Sequence, residues 1–185
     1  MNVHITQSSI MEKGVTTLKI VRHGDAPFGD LSEKGREQSI SRGIKILDFV
    51  KENGIDKVVI IYDHNHYRTE DTARIVYELL EIQKCNVEIV SFEDSIQGLF
   101  LAHFTAYDFL KTRQESENQS ILGIIVGSCG DIPFFFNMMK LTDAEYDARD
   151  FERILGNCES LNINTLLEEK PDKGFTIEEL GSFVR

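Results

Sequence analysis

The 185-residue sequence predicts an α/β fold with a mostly parallel sheet covered on both faces. Three observations carry this. Lys57–Tyr62 (KVVIIY) and Ile121–Val126 (ILGIIV) are short, near-continuous apolar runs, the pattern of strands buried on both sides. Such runs alternate with longer amphipathic stretches. Finally, the chain has three prolines, no repeat and no low-complexity linker, so residues 17–185 read as a single domain. Residues 1–16 read either as a mobile arm or as an added edge strand.

The elements follow in order. Thr17–Arg22 is the first strand. Ser32 is placed to cap a helix within Leu31–Asn53, with Ile40, Ile44, Leu47 and Val50 at helical spacing and Gly54 to stop it. Lys57–Tyr62 follows as the second strand. A helix over about Tyr67–Gln83 should turn Ala73, Val76, Leu79 and Leu80 inward. Val87–Phe92 is the third strand, some of Gly98–Gln114 a helix, and Ile121–Val126 the fourth strand. Short helices are expected over Asp131–Lys140 and Asp143–Leu155, then a fifth strand over Ser160–Leu166. Thr176 and Glu179 have the spacing of a capping box before Leu180.

Composition excludes several functions. With 31 acidic and 20 basic residues the net charge is −11, which disfavours nucleic-acid or anionic-membrane partners. The cysteines, Cys85, Cys129 and Cys158, are widely spaced and read as free thiols in a reducing compartment. No basic-then-apolar leader precedes residue 17, and no apolar run approaches the roughly 18 residues of a membrane span. A cytoplasmic protein is expected; the oligomeric state is left open.

The chemistry gathers at Arg22-His23-Gly24-Asp25-Ala26, where an apolar strand ends in a cation, an imidazole and a turn residue. The carboxyl ends of strands in open α/β sheets are where ligands bind. Arginine there suits two phosphoryl oxygens, and histidine beside it serves as nucleophile or proton carrier. The residues alone therefore point to a phosphoryl group.

Four elements carry a family resemblance: Arg22-His23-Gly24 after a strand; Leu31-Ser32 with Gly35 and Gln38; Arg68-Thr69-Glu70-Asp71-Thr72-Ala73 after the second strand; and Gly156-Asn157-Cys158-Glu159-Ser160. Together they resemble the histidine phosphatase superfamily, nearest its small phosphohistidine phosphatase branch. They cover roughly residues 17–167, in the family's order. The resemblance implies a three-layer α/β/α, phosphoglycerate mutase-like fold. It also implies His23 as the nucleophile that becomes phosphohistidine, Arg22 and Arg68 as phosphate ligands, and no metal or cofactor. The implied partner is a phosphate-bearing small molecule or phosphoprotein.

Three departures stand beside it. Ser128, in Val126-Gly127-Ser128, occupies the place of the family's second histidine. Gly29-Asp30 replaces a common arginine, and His64-Asn65 replaces a Ser-Pro pair. Ser128 could donate one neutral hydrogen bond to the anion, and His64 and His66 are candidates to compensate in space. Glu93 and Asp94 are the candidate general acids, set against a solvated-loop reading. His64-x-His66 lacks the matching Cys/His cluster of a zinc site. His103 and His4 carry no assigned role. Phe134–Met139 reads as core or as a partner-facing patch.

Two functions follow nearly level: a phosphatase acting on phosphohistidine or a small phosphomonoester with weakened activity, and an inactive phospho-ligand binder. A scaffold that keeps only the fold ranks third.

Overall fold

The structure, a computed structural model, describes residues 16–64, 66–92, 118–128 and 130–185. The segment 1–15, Glu93, Asp94, His103, Cys129 and the helix expected within Gly98–Gln114 lie outside them. Five strands form one sheet: β1 (Thr16–Arg22), β2 (Lys57–Asp63), β3 (Val87–Phe92), β4 (Ile121–Gly127) and β5 (Ser160–Asn162). Their spatial order is β3-β2-β4-β1-β5, with the first four parallel and β5 antiparallel to β1.

Among the described residues the helices are α1 (Glu33–Asn53), α2 (Tyr67–Ile82), α3 (Ile132–Met138), α4 (Ala148–Ile154), α5 (Ile163–Glu169) and α6 (Ile177–Ser182). The apolar runs in the strands split by alternation, since successive side chains point to opposite faces. Val58, Ile60, Leu122 and Ile124 pack with Leu47, Val50, Ala73 and Leu80 of α1 and α2. Val59, Ile61, Ile121 and Ile125 pack with Phe136, Phe151, Leu166 and Leu180 of the later helices. The result is the three-layer arrangement read from the sequence.

Local signals explain most boundaries. Ser32 Oγ accepts from Gly35 N at 3.0 Å, and Gly54 closes α1 at φ 60°. Thr176 and Glu179 form the expected capping box. A register pairing Arg22 with Gly127 and Tyr62 with Val126 brings the carboxyl ends of β1, β4 and β2 level.

Three expectations are corrected, and the Phe134–Met139 stretch supplies core residues as one of its two readings had it. Ser160–Leu166 is strand only to Asn162, whose side chain accepts from Asn164 N and Thr165 N and starts α5. The amide of Asn164 then bridges to β1, accepting from Leu18 N and donating to Thr16 O, both at 2.8 Å. The helix expected from Asp143 begins only at Ala148. Asp143 N donates to Phe175 O, and Asp147 with Asp150 makes the cap. Ile40 and Ile44 are 46% and 48% exposed; the inward stripe of α1 instead runs through Ser39, Arg42, Ile46 and Val50. Of Phe134–Phe136, only Phe134 faces outward, while Phe136 packs on Phe151 with ring centroids 5.0 Å apart. No helix among the described residues is long and apolar enough to cross a membrane.

Candidate active site

Separate chain segments converge at the carboxyl edge of the sheet in a cleft of about 250 Å³. Arg22 ends β1 and His23 follows it; Ser128 follows β4; Arg68 sits in the first turn of α2. Glu152 of α4 and Asn157 of the turn before β5 also line the cleft.

The loop after β1 is tied down on every side. His23 N donates to Gly127 O at 3.0 Å, and Cys158 N donates to the Arg22 and His23 carbonyls at 3.0 and 3.2 Å. Gly24 N donates to Thr72 Oγ1 at 3.1 Å. Behind the loop runs the first turn of α1. A Cβ on Gly24 would lie 2.5 Å from Gly35 O, and one on Gly35 would lie 2.2 Å from Asp25 O, so both positions require glycine.

The imidazole of His23 is 6% exposed. Its Nδ1 lies 2.6 Å from Gly24 O. A carbonyl only accepts, so Nδ1 carries the proton and Nε2 keeps its lone pair; this tautomer is assigned from the hydrogen bond. Burial pushes the pKa of His23 down to about 4, and the nearby Arg68 and Arg22 charges push the same way against the Gly24 carbonyl and Asp131. At neutral pH the ring is uncharged and nucleophilic.

The guanidinium groups present unsatisfied donors. Arg22 Nη1 donates to Leu155 O at 2.8 Å, and its Nη2 lies 3.7 Å from Glu152 Oε1. The Nε atoms of both Arg22 and Arg68 are buried without a hydrogen-bond partner. Buried donors are ordinarily paired; what the cleft itself offers an anion is the charge of the two guanidinium groups that line it.

No protein-family model and no curated protein sequence matches the chain. Among solved structures it is similar to a phosphoglycerate mutase from Plasmodium falciparum, with a TM-score of 0.52 and 16% identity over 80% of this chain and 82% of that one. The chain has the phosphoglycerate mutase fold. An alpha-ribazole phosphatase from Shigella flexneri is also similar, with a TM-score of 0.44 and 15% identity over 86% of this chain and 93% of that one.

On this phosphoglycerate mutase fold, the remaining candidates fall as follows. Ser128 lines the cleft, but its hydroxyl donates to Asp131 Oδ2 at 2.6 Å and accepts from Gly130 N at 3.2 Å. Contact with an anion would require that hydroxyl to leave Asp131. His64 and His66 do not line the cleft. His64 Nδ1 is 3.4 Å from Glu70 and His66 Nδ1 is 2.8 Å from Asp63, so these carboxylates hold both rings on the α2 side. Glu93 and Asp94 lie outside the described residues.

Three polar side chains that line the cleft have no role assigned from the sequence: Asp25, Asn157 and Glu152. Asp25 Oδ2 accepts from Ser32 Oγ at 2.6 Å and its Oδ1 from Asn157 Nδ2 at 3.3 Å, so this carboxylate fastens the loop to α1 and to the turn before β5. Both Asp25 and Asn157 stand inside the motif stretches, where adjacency to His23 and Cys158 could have marked them. Glu152 lies in an acidic stretch with no spacing signal.

Proposed function

We propose that the protein is a phosphatase of the histidine phosphatase superfamily, hydrolysing a phosphohistidine or small phosphomonoester through a phosphohistidine formed on His23. The observation that carries this reading is the neutral His23 ring, with Nδ1 carrying the proton, lining one cleft together with the Arg22 and Arg68 side chains. In the first step the Nε2 lone pair forms a bond to phosphorus as the bond to the leaving group breaks. Arg22 and Arg68 hold the phosphoryl oxygens and stabilise their charge through the transfer. In the second step water attacks phosphorus, the P–N bond breaks, phosphate leaves, and Nε2 regains its lone pair. An alcohol leaving group must take up a proton; an imidazole leaving group depends less on a strong acid.

Turnover is slower than a site with a second histidine would support. Ser128 stands in that position and its proton is donated to Asp131. Loss of one positioned donor costs about 10²–10³ in rate.

The test is phosphoenzyme trapping. Labelled phosphohistidine protein or aryl phosphate is mixed with the wild type and with His23→Asn, and the denatured chain is examined for label. The reading expects acid-labile, base-stable label on the wild type and none on the variant. Equal background in both, with a folded variant, sinks it.

A second reading, a phospho-ligand binder without turnover, is favoured by the Ser128–Asp131 bond and by Asp25 and Glu152 at the cleft. Vanadate binding that is lost in Arg68→Ala, without phosphate release by the wild type, would select it.

A further inference from the structure

A second cavity system lies on the α1 side of the sheet, away from the cleft. Two adjoining cavities, of about 420 and 320 Å³, share Lys19, Phe49, Ser160 and Arg185. Their sizes fall in the range of small-molecule sites. Lys19 is the feature that needs explaining. It sits within β1, flanked in the sheet by β4 and β5, on the strand face that also carries Val21. That is a position where the helical layer ordinarily meets an apolar residue.

Among the described residues Lys19 makes neither a hydrogen bond nor an ion pair. Its Nζ rests 3.5 Å from the centre of the Phe49 ring. An ammonium taken partly out of water and left with only a ring face is under-solvated. Burial, with the Arg42 charge adding to it, lowers its pKa to about 8. Arg42 does not relieve it. The Arg42 guanidinium donates to Cys158 O, to Ser160 Oγ at 3.2 Å and to Arg185 O at 2.6 Å, and so forms the wall of the groove. Lys45 and Arg185 add positive charge, and Asp48 and Glu52 of α1 are the acids that line it. In a chain of net charge −11, such a concentration of cations on an apolar floor of Ile46, Phe49 and Ile124 is complementary to one kind of ligand.

We propose that this groove is a ligand site for a small organic anion: an apolar or aromatic body carrying one carboxylate, sulfonate or phosphate. The anionic group accepts from Lys19 Nζ, and the body lies along Phe49 and Ile46. The proposal is independent of the chemistry at His23.

The test uses the full chain and two fluorescent probes with the same aromatic rings. One is 8-anilinonaphthalene-1-sulfonate; the other is N-phenyl-1-naphthylamine, which has no charge. The sulfonate should bind saturably at one site and at least tenfold more tightly than the neutral probe, and octanoate should displace it. Lys19→Met adds apolar surface while removing the charge, so it should weaken the sulfonate at least tenfold. Sulfonate binding as tight in Lys19→Met as in wild type, or equal binding of the two probes, overturns the proposal.

Should Lys19→Met fail to fold, a pH series keeps the idea exposed. It is run in Lys45→Gln, which removes the other lysine of the groove. The remaining charged groups facing Lys19 are Arg42 and Arg185 with Asp48 and Glu52; guanidinium and carboxylate groups as classes titrate far from pH 8. Sulfonate affinity should fall roughly tenfold between pH 7.5 and 9.5 as the amine loses its proton. A profile flat from pH 7.5 through 11, beyond the ordinary range of a lysine amine, overturns the proposal.

Discussion

Thr72 joins Gly24 to Arg68: the Gly24 N–H donates to Thr72 Oγ1 at 3.1 Å while the Thr72 hydroxyl donates to Arg68 O at 2.8 Å. One fully buried hydroxyl thus sets the height of the histidine loop against the first turn of α2. The two functional segments are far apart in sequence, and this side chain is a direct link between them.

Thr72→Val keeps the shape and removes the acceptor. It leaves Gly24 N–H buried and unpaired, which costs about 1–3 kcal/mol. Chemical denaturation should show that loss, and vanadate affinity should fall with it. Thr72→Ser should restore most of both; a Thr72→Val protein with wild-type stability and affinity would refute the link.

His23 makes stability depend on pH in a definite direction. Its folded-state pKa, about 4, lies below the 6.5 of a free histidine side chain. Between these values the unfolded chain binds the extra proton and the folded chain does not. Stability is therefore complete above about pH 6.5, declines as pH falls from there to about 4, and changes no further below that on account of this group. The largest contribution is about 3 kcal/mol. Denaturation midpoints for wild type and His23→Asn, measured from pH 7 to 4, should converge as pH falls; parallel curves would remove His23 as the cause. If His23 is the nucleophile proposed above, the same neutrality predicts no loss of activity by its protonation from pH 7 down to about 5.

The Ser128–Asp131 pair is where the proposed loss of activity can be tested. Ser128→His places a cationic donor where the hydroxyl now faces Asp131, and should raise turnover by about 10²-fold. Asp131→Asn removes a carboxylate that bears on His23, and should tighten vanadate binding several-fold with little change in stability. Steady-state rates on an aryl phosphate and vanadate titrations check these two outcomes. No gain from either change would mean that the side chain after β4 does not limit the site.

Gly35 tests the close crossing of α1 behind the histidine loop. Gly35→Ala would place a methyl 2.2 Å from Asp25 O, against backbone that cannot rotate away. A loss of roughly 2–4 kcal/mol is expected, with vanadate affinity reduced because the loop must shift. Retained stability would show that the crossing has room to open.

What the sequence determined by itself was whatever short-range pattern encodes. Doubly buried strands announce themselves by continuous apolar runs, so β2 and β4 were legible. Caps at Ser32, Gly54 and Thr176 depend on neighbours within a few residues and were legible too. So was the order of the Arg22-His23-Gly24 and Arg68 motifs, and with them the fold. Tertiary structure alone decided the rest. Asn164 reaches across to β1 and ends β5 early through partners 146 and 148 positions away. Arg42 turns inward on α1 because Cys158, Ser160 and Arg185 supply its acceptors, and no hydropathy pattern could rank it above Ile40. His64 and His66 are claimed by Glu70 and Asp63, and the Ser128 proton by Asp131. Whether a polar group is available for chemistry depends on which partner reaches it first, and that is a matter of distances that the order of residues does not contain.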